Sequence, residues 1–297
     1  MKQKFGFVTI LGASNVGKST LVNRLVGLKV SIVSPKVQTT RMLIKGIKIH
    51  NLSQIAFIDT PGIFSPKRRL DRAMVACAWN STGNSDETIL VVDPTIGLDK
   101  DTSNIIEVLR KQHANIILAI NKIDRIKKHK LLEVAEKMNS MGIFYKVFMI
   151  SALKGEGLGD LLDHLDSKLP VGPWMFPKDR ISEIPQRILA EEITREKLFF
   201  LLHQEIPYQT TVETELWENK DEKTLWIEQN ILVERTSQKA IILGKKGQKI
   251  KELGERSRRE LETIFKKKVH LFIFVKVKKN WGENAEYYQK LGLDFKA

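Results

Sequence analysis

The pattern that most constrains this chain is Gly-x-x-x-x-Gly-Lys-Ser at residues 12–19. It follows an apolar run, Phe5–Leu11, and leads into a segment with helical character. Glycines let backbone N–H groups turn inward around phosphate oxygens, and the helix that follows directs its positive N-terminal end at them. The pattern therefore predicts a strand, a phosphate-binding loop and a helix that together hold a nucleotide.

The residue types in this loop predict individual contacts. The Lys18 side chain is expected to reach the β- and γ-phosphates, and the Ser19 hydroxyl is expected to ligate Mg²⁺. The other nucleotide contacts predicted here are Gly12, Ser14, Asn15, Val16, Gly17 and Thr20.

A second motif, Asp59-Thr60-Pro61-Gly62, ends another apolar run. An aspartate in this position can hold Mg²⁺ through water, and the Gly62 N–H can meet the γ-phosphate. Asp-x-x-Gly alone is a common turn. The motif supports a nucleotide site only because it follows the phosphate-loop pattern in the expected order. The predicted metal site therefore includes Ser19 and Asp59.

Two downstream motifs predict the base. Asn121-Lys122-Ile123-Asp124 follows an apolar run, and the Asp124 carboxylate offers two acceptors to the adjacent N1–H and N2–H₂ donors of guanine. Adenine has no such donor pair, so Asp124 selects guanine. Ser151-Ala152-Leu153 follows a later strand, and the Ala152 N–H is expected to donate to guanine O6.

These motifs together resemble the translation-factor-related class of P-loop GTPases. Gln38-Thr39-Thr40-Arg41 resembles the first switch of the Era family within that class. The resemblance implies Mg²⁺-dependent hydrolysis of GTP to GDP, with Thr40 as a further Mg²⁺ ligand in the GTP state and Thr39 as the less favoured alternative. The catalytic residues that it implies are Lys18, Thr40, Gly62 and Asn15.

Hydrolysis in this chain is expected to be slow or to use an unusual group. Ile63 follows Gly62, where Ras-like enzymes have a glutamine that orients water. By resemblance, Asn15 matches a phosphate-loop asparagine that binds K⁺ in related GTPases, and the ion then acts like an arginine finger. The alternative is that Asn15 only satisfies the loop locally.

The first part of the chain alternates apolar runs with helical segments, which is typical of a doubly wound α/β domain. Several of the runs are continuously apolar, as in the buried strands of a parallel sheet. The predicted strands are Phe5–Leu11, Met42–His50, Gln54–Asp59, Glu87–Asp93, Asn115–Ile120 and Lys146–Ile150. Predicted helices include Leu131–Met141 and Leu158–Lys168.

A break at Leu169-Pro170-Val171-Gly172-Pro173 divides the chain. We expect a GTPase domain at 1–170, a linker at 171–184, an RNA-binding domain at 185–280 and a C-terminal tail at 281–297. The second domain is expected to be α+β, with this order of elements: helix Pro185–His203, strands Gln209–Glu218 and Thr224–Glu234, helices Ser237–Leu243 and Gln248–Phe265, and strand Val269–Val277.

This element order resembles the type II KH domain, and Gly244-Lys245-Lys246-Gly247 matches its signature loop. Such domains clamp about four single-stranded nucleotides. Residues 235–279 hold fifteen Lys or Arg against four Glu, whereas 171–234 hold seven against thirteen acidic residues. This segregation of charge favours a phosphate-binding face. The predicted RNA contacts are Ile241, Ile242, Gly244, Lys245, Lys246, Gly247, Lys249, Lys251 and Arg258.

Some assignments in this region stay open. Ile241 and Ile242 can floor a groove for bases or pack in the core. Trp217 and Trp226 lie in strands and favour the core over a role as stacking platforms, whereas Trp281 near the C-terminus can take either role.

The family resemblance also implies the partners. They are GTP or GDP, Mg²⁺ and K⁺, single-stranded RNA at the 3′ end of 16S ribosomal RNA, and the small ribosomal subunit, with the chain acting as a monomer. The single cysteine, Cys77, fits a reducing cytoplasm. The alternatives are a GTPase whose basic helix binds anionic lipid at the inner face of the membrane, and tRNA-modifying or tandem GTPases. The last two classes need an extra helical domain or a second phosphate loop, and the sequence has neither.

Overall fold

The computed structural model describes residues 2–112, 116–202 and 206–297, and these fall into two units. The first unit comprises Met1–Glu183 together with Leu291–Ala297, and the second comprises Ile184–Lys290. None of the helices within the described ranges combines the length and apolarity needed to cross a bilayer.

The first unit is built on a six-stranded sheet in the order β2-β3-β1-β4-β5-β6. Only β2 runs antiparallel to its neighbour, and the other pairs are parallel. The strands are β1 (Lys4–Leu11), β2 (Ile44–His50), β3 (Ser53–Asp59), β4 (Glu87–Val92), β5 (Ile116–Ile120) and β6 (Phe144–Met149). Every residue of β3 and β5 is buried, as expected for strands that are covered on both faces.

Within the described residues this unit contains five α-helices, of which the first four lie between strands and the fifth follows β6. They are α1 (Lys18–Val26), α2 (Arg69–Asn80), α3 (Lys100–Lys111), α4 (Lys128–Asn139) and α5 (Leu158–Lys168). Because the central strands are parallel, the loops that follow β1, β3, β4, β5 and β6 all emerge at one edge of the sheet. Ligands bind at this edge in open α/β sheets, and the sequence motifs lie in these loops.

The other side of the edge strand β2 is covered by the chain that follows α5. The Ile47 N–H donates to the Ile181 carbonyl at 2.7 Å, and Gly46 forms an isolated bridge with Ser182. Lys45 and Glu183 form an ion pair at 2.8 Å. These contacts explain why the segment predicted as a linker at 171–184 groups almost wholly with the first unit.

The second unit is a three-stranded sheet packed against helices. Its strands lie in the order β7-β8-β9, with β8 antiparallel to β7 and parallel to β9. Its elements are α6 (Gln186–Leu201), β7 (Thr210–Asn219), β8 (Thr224–Val233), α7 (Thr236–Leu243), α8 (Gln248–Phe265), β9 (Lys268–Val277) and α9 (Ala285–Lys290). Buried side chains from α6, α8 and the sheet form its core.

The predicted fold class is confirmed, and the largest differences lie at element ends. α4 begins three residues before the predicted Leu131, and β6 begins at Phe144 rather than Lys146. The first predicted residue of β5, Asn115, and the last of α6, His203, lie outside the described residues. The tail predicted at 281–297 contains α9, which the sequence analysis did not identify.

Candidate functional site

The phosphate-loop pattern forms the turn between β1 and α1. Gly17 precedes α1 with a φ of 100°, a conformation that a side chain disfavours. A Cβ atom at Gly17 would also overlap the Asn121 amide. The Asn121 Nδ2 donates to the Val16 carbonyl at 2.9 Å, so the phosphate loop and the base motif are joined directly.

Lys18 is buried beneath this loop. Its Nζ donates to the carbonyl oxygens of Gly12 at 3.0 Å and Ala13 at 2.8 Å. Burial lowers the pKa of Lys18 to about 8, and the nearby Asp59 carboxylate opposes that shift. A buried ammonium group is costly without a counter-charge, so this position favours an anionic ligand.

Three oxygen-bearing side chains converge beside Lys18. Ser19 Oγ lies 2.9 Å from Thr40 Oγ1 and donates to Asp59 Oδ2 at 2.7 Å. Thr40 Oγ1 lies 3.4 Å from the same carboxylate oxygen. The structure thus brings together the three residues predicted to hold Mg²⁺, although they are far apart in sequence.

The Asp59 carboxylate is fully buried at the end of β3. Burial raises its pKa, and hydrogen bonds from Ser31 and Ser19, together with the Lys18 charge, oppose that rise. The Ser31 hydroxyl donates to Asp59 Oδ2 at 2.5 Å, a contact that the sequence analysis missed. Ser31 belongs to no motif, so no local signal identifies it.

Thr39 and Thr40 have different surroundings. Thr39 Oγ1 donates to the Lys36 carbonyl at 2.7 Å and lies 2.6 Å from Ser34 Oγ, which are contacts inside its own loop. Thr40 is 5% exposed and faces Ser19 and Asp59. Of the two threonines, Thr40 is therefore the one placed to contact a metal.

The Asp-Thr-Pro-Gly motif lies against the phosphate loop. The Ile63 N–H donates to the Gly12 carbonyl at 3.1 Å, and Ala13 and Ile63 form a parallel bridge. Gly62 approaches Ser14 so closely that a Cβ atom would lie 2.6 Å from Ser14 Oγ. This Oγ is buried and has no hydrogen-bond partner among the described residues.

Asn15 and Lys122 connect the loops around this site. Asn15 has a φ of 63°, and its Nδ2 donates to the Pro35 carbonyl at 2.9 Å. The Lys122 Nζ donates to the Asn15 carbonyl at 2.7 Å and to Asp93 Oδ2 at 2.6 Å. Asn15 therefore has the local role that the sequence analysis kept as an alternative to K⁺ binding.

Asp93 is a further residue that the sequence analysis did not assign to the site. It follows β4, and burial alone would raise its pKa. Hydrogen bonds from Lys122 and Thr95 outweigh burial and hold that pKa below its usual value. An aspartate directly after an apolar strand was the available signal, since the other motifs also follow strands.

The residues predicted to hold the base lie together after β5 and β6. Ser151 Oγ donates to Asp124 Oδ1 at 2.6 Å, which orients the carboxylate and lowers its pKa. The Ala152 N–H, predicted to donate to guanine O6, donates to Asn121 Oδ1 at 2.9 Å. Donation to guanine O6 would require this N–H to be shared between two acceptors. Leu153 is 73% exposed.

The second unit carries the Gly-x-x-Gly loop between α7 and α8. Gly244 has a φ of 71°, and a Cβ atom there would lie 2.7 Å from Lys249 Cγ, so a side chain fits poorly. Lys245 and Lys246 are exposed at the tip of the loop. The loop ends at the N-terminus of α8, whose positive dipole end adds to the charge of the lysines.

A groove of about 330 Å³ lies beside this loop, between α8 and β9. Its apolar lining comes from Ile250, Leu271 and Ile273, and Gly254 leaves space between them. Its charged lining residues are Lys251, Arg258 and Glu255. Two predicted RNA contacts, Lys251 and Arg258, therefore lie at the groove, whereas the contributions of β9 were missed.

The predicted groove floor requires a correction. Ile242 is 2% exposed and packs in the core with Leu198, Ile231 and Val275. Ile241 is 42% exposed, and neither residue is among those that line the groove. Adjacent residues of a helix point about 100° apart, so α7 turns one isoleucine to the core and the other to solvent.

Trp281 is also a core residue. It is 3% exposed, its Nε1 donates to the Gln209 carbonyl at 3.1 Å, and its ring packs edge-on against Tyr287. Trp217 packs edge-on against Phe265. Trp226 was also expected in the core, but it is only half-buried and lies on the opposite face of the sheet, where it contacts His270 and Phe272.

Both units match known families. The family model described as "50S ribosome-binding GTPase" matches residues 7–122, and the KH domain model matches residues 205–282. GTPase Era of Sinorhizobium medicae is 52% identical over 290 residues, which are 98% of this chain and 94% of that protein. GTPase Era of Agrobacterium fabrum is 53% identical over 98% of this chain and 92% of its own length.

Solved structures of Era match the whole fold. One is Era in complex with MgGDPNP and nucleotides 1506–1542 of 16S ribosomal RNA, with a TM-score of 0.93 and 40% identity. Another is a point variant of Aquifex aeolicus Era bound to GDP·AlF4⁻, with a TM-score of 0.92 and 40% identity. Each match covers 98% of this chain and 99% of the other. The chain belongs to the Era family of GTPases.

Proposed function

We propose that this GTPase is a switch that binds single-stranded RNA at the 3′ end of 16S ribosomal RNA during maturation of the small ribosomal subunit. The observation that carries the proposal is the groove between α8 and β9, which lies beside the Gly-x-x-Gly loop in the same chain as the nucleotide site. A nucleotide site alone fits many GTPases, whereas the groove indicates that the partner is single-stranded RNA.

In this proposal Lys18 binds the β- and γ-phosphates in place of the loop carbonyls that it now contacts. The phosphate-loop residues Gly12–Thr20 surround the phosphates, and the Gly62 N–H donates to the γ-phosphate. Asn121, Lys122 and Asp124 hold guanine, together with the Ser151–Leu153 segment. The Asn121–Val16 contact keeps the base and phosphate parts of the site in register.

The cluster of Ser19, Thr40 and Asp59 fits Mg²⁺. Its donors are hydroxyl and carboxylate oxygens, which are the ligands that this ion prefers. One carboxylate oxygen, Asp59 Oδ1, is buried with no hydrogen-bond partner within the described part of the chain, so it has unused acceptor capacity. When bound, Mg²⁺ neutralises charge on the phosphate oxygens.

The Ile63 side chain cannot orient the attacking water by hydrogen bonding, because it is apolar; it is also only 6% exposed. We therefore propose that Asn15 contributes its Oδ1 to a K⁺ ion, while its Nδ2 keeps the contact with Pro35. A monovalent cation there would add the positive charge that an arginine finger supplies in other GTPases.

On the RNA side, the exposed lysines of the loop and the N-terminus of α8 bind phosphates, and the apolar lining of the groove contacts bases. Lys245, Lys246 and Lys249 are exposed at the loop, and Lys251 and Arg258 continue along one side of the groove. The preference for the 3′ end of 16S ribosomal RNA rests on the Era complex that contains that RNA. The family model described as "50S ribosome-binding GTPase" covers less than half of this chain, so that description does not identify the RNA partner.

Binding to ribosomal RNA places the proposed activity in the cytoplasm. Peripheral contact with a membrane is the second reading of the basic helix α8. Its apolar residues Leu253 and Leu261 are at most 1% exposed inside the second unit, so they are not available for insertion among lipids. The geometry therefore favours RNA over lipid.

The test is crosslinking in cells followed by sequencing of the bound RNA. We expect enrichment of the 16S 3′ end, and we expect a synthetic RNA of that sequence to displace the protein from anionic vesicles. Crosslinks spread evenly over ribosomal RNA would overturn the assignment of the RNA. Binding to vesicles that this RNA does not displace would favour the lipid reading.

A further inference from the structure

The sheet of the second unit has an open face that carries aromatic side chains. Successive residues of a strand point to opposite faces, so His270, Phe272 and Phe274 of β9 share one face. Trp226 of β8 lies on the same face, because it is the register partner of His270. We call these four residues the aromatic platform.

The platform is accessible to solvent. Phe272 is 41% exposed and Phe274 is 50% exposed. The Trp226 ring centroid lies 5.5 Å from that of His270 and 5.6 Å from that of Phe272, and Lys220 Nζ lies 4.9 Å from the Trp226 centroid. Contacts between strands account for part of this arrangement. They do not account for Phe274, which makes no ring contact among the described residues.

The platform adjoins the RNA groove. β9 is an edge strand of its sheet, and its residues Leu271 and Ile273 line the groove on the opposite face. Phe272 and Phe274 alternate with these two residues along the same strand. A chain of nucleotides that leaves the groove over β9 therefore reaches Phe272 and Phe274 by passing around a single strand.

Both lysines and carboxylates lie near the platform. Lys268 and Lys276 lie on the platform side of this strand, and Lys278 follows it; all three are exposed. Glu215 of β7 is paired with Lys276 at 2.7 Å, and Glu218 of β7 is paired with Lys220 at 2.8 Å. Lys276 is thus partly neutralised by Glu215, and Glu228 of β8, the register partner of Phe272, also lies on the platform face. Lys268 and Lys278 are the lysines placed to meet a phosphate backbone at this edge.

We propose that the aromatic platform stacks bases of the RNA segment that continues beyond the groove. The inference rests on the proposed RNA-binding function, and it assigns a second subsite to the same RNA. A KH groove holds about four nucleotides, so a longer RNA needs another surface to gain affinity. Stacking on aromatic rings tolerates any base sequence, because every base has a π face.

The test compares a four-nucleotide RNA that fills the groove with twelve-nucleotide RNAs extended at either end. Wild-type protein should bind one of the longer RNAs more tightly, and Phe272→Ser with Phe274→Ser should reduce that gain by roughly 5- to 100-fold. Affinity for the short RNA should stay within about twofold, which also shows that the groove is intact. Phe272→Tyr with Phe274→Tyr should restore the gain.

A direct signal comes from 2-aminopurine placed in the extension, because stacking quenches its fluorescence. We expect quenching with the wild type and with the tyrosine variant but not with the serine variant. Phe200→Ser is the matched control, since Phe200 is 49% exposed on α6 and outside the platform. It should leave both readouts unchanged.

Two outcomes separate this inference from the function on which it rests. If the serine variant binds long RNA as tightly as the wild type and quenches 2-aminopurine equally, the platform does not bind RNA, while groove binding stands. If the wild type binds neither RNA and Lys245→Asp with Lys246→Asp changes nothing, the proposed RNA function itself fails.

Discussion

Thr40 Oγ1 lies 2.9 Å from Ser19 Oγ, and both hydroxyls face the Asp59 carboxylate. The segment of residues 38–41 is thereby joined to the first turn of α1 and to the end of β3. Coordination of a metal ion at this cluster would therefore depend on the position of the segment, because withdrawal of Thr40 would remove one ligand.

Thr40→Ala should therefore weaken binding of a GTP analogue about tenfold or more at limiting Mg²⁺, since one contact to a charged group is worth roughly 1.5–3 kcal/mol. GDP affinity should change little, because Thr40 is the proposed ligand in the GTP state. Titration of Mg²⁺ at fixed nucleotide measures the effect.

Thr39→Ala is the matched control for Thr40. It removes a hydroxyl that bonds inside its own loop, so the dependence on Mg²⁺ should stay close to that of the wild type. An equal loss in both variants would show that the loop conformation matters and that Thr40 has no specific role as a ligand.

Asp124→Asn should shift the preference from guanine to xanthine nucleotides. The substitution replaces one acceptor oxygen with an amide donor, and xanthine presents a carbonyl where guanine has its amino group. The loss of GTP affinity should be at least about tenfold. Competition between GTP and XTP measures it, with Asp160→Asn on the exposed face of α5 as the control. Unchanged GTP affinity would mean that the base binds elsewhere.

Replacing K⁺ with Na⁺ should slow GTP hydrolysis by the wild type, because the smaller ion fits the proposed site poorly. Asn15→Ala should be slow in both salts, since it removes the proposed ligand and the contact with Pro35. Phosphate release at matched ionic strength measures the rates. Equal wild-type rates in the two salts would remove K⁺ from the mechanism and leave Asn15 its structural role.

Lys245→Asp with Lys246→Asp should strongly weaken RNA binding and leave GTP binding intact, because both lysines are exposed at the loop. The plot of log affinity against log salt should flatten by roughly 0.7 per lost phosphate contact on a single strand. Lys128→Asp with Lys130→Asp makes the same change of charge on α4 and should leave the slope unaltered. A double mutant in the loop with wild-type affinity and slope would reduce the loop to a helix connector.

Glu192→Ala should destabilise the second unit by roughly 1–3 kcal/mol, because it removes the carboxylate hydrogen-bonded to the buried Arg195 while the Glu196 charge still acts on that guanidinium. Amide hydrogen exchange along α6 and β8 measures the change locally. Glu252→Ala breaks a half-exposed pair with Arg256 and should cost about 1 kcal/mol or less. Similar effects of the two substitutions would mean that the burial of Arg195 carries little energy.

Local patterns predicted the elements that are set by local chemistry. The bounds of α5 and α8 agree with the sequence analysis, because their apolar spacing and flanking glycines act within a few residues of the chain. β6 starts earlier than predicted because Phe144 pairs with Ile116 of β5, a contact that no local pattern contains. α9 has only six residues, too few for a helical period to be visible.

The sequence by itself determined the nucleotide motifs, their order, the guanine-selecting Asp124 and the Gly-x-x-Gly loop, because each depends on residue types at short, fixed spacings. Only the tertiary structure brings Ser31 into hydrogen-bond contact with Asp59, and Asp93 into contact with Lys122. It alone places Leu271 and Ile273 in the lining of the groove. It also turned Ile242 into the core and left Phe272 and Phe274 in solvent. These outcomes depend on which face of a helix or strand meets a distant element, and packing across the whole unit decides that.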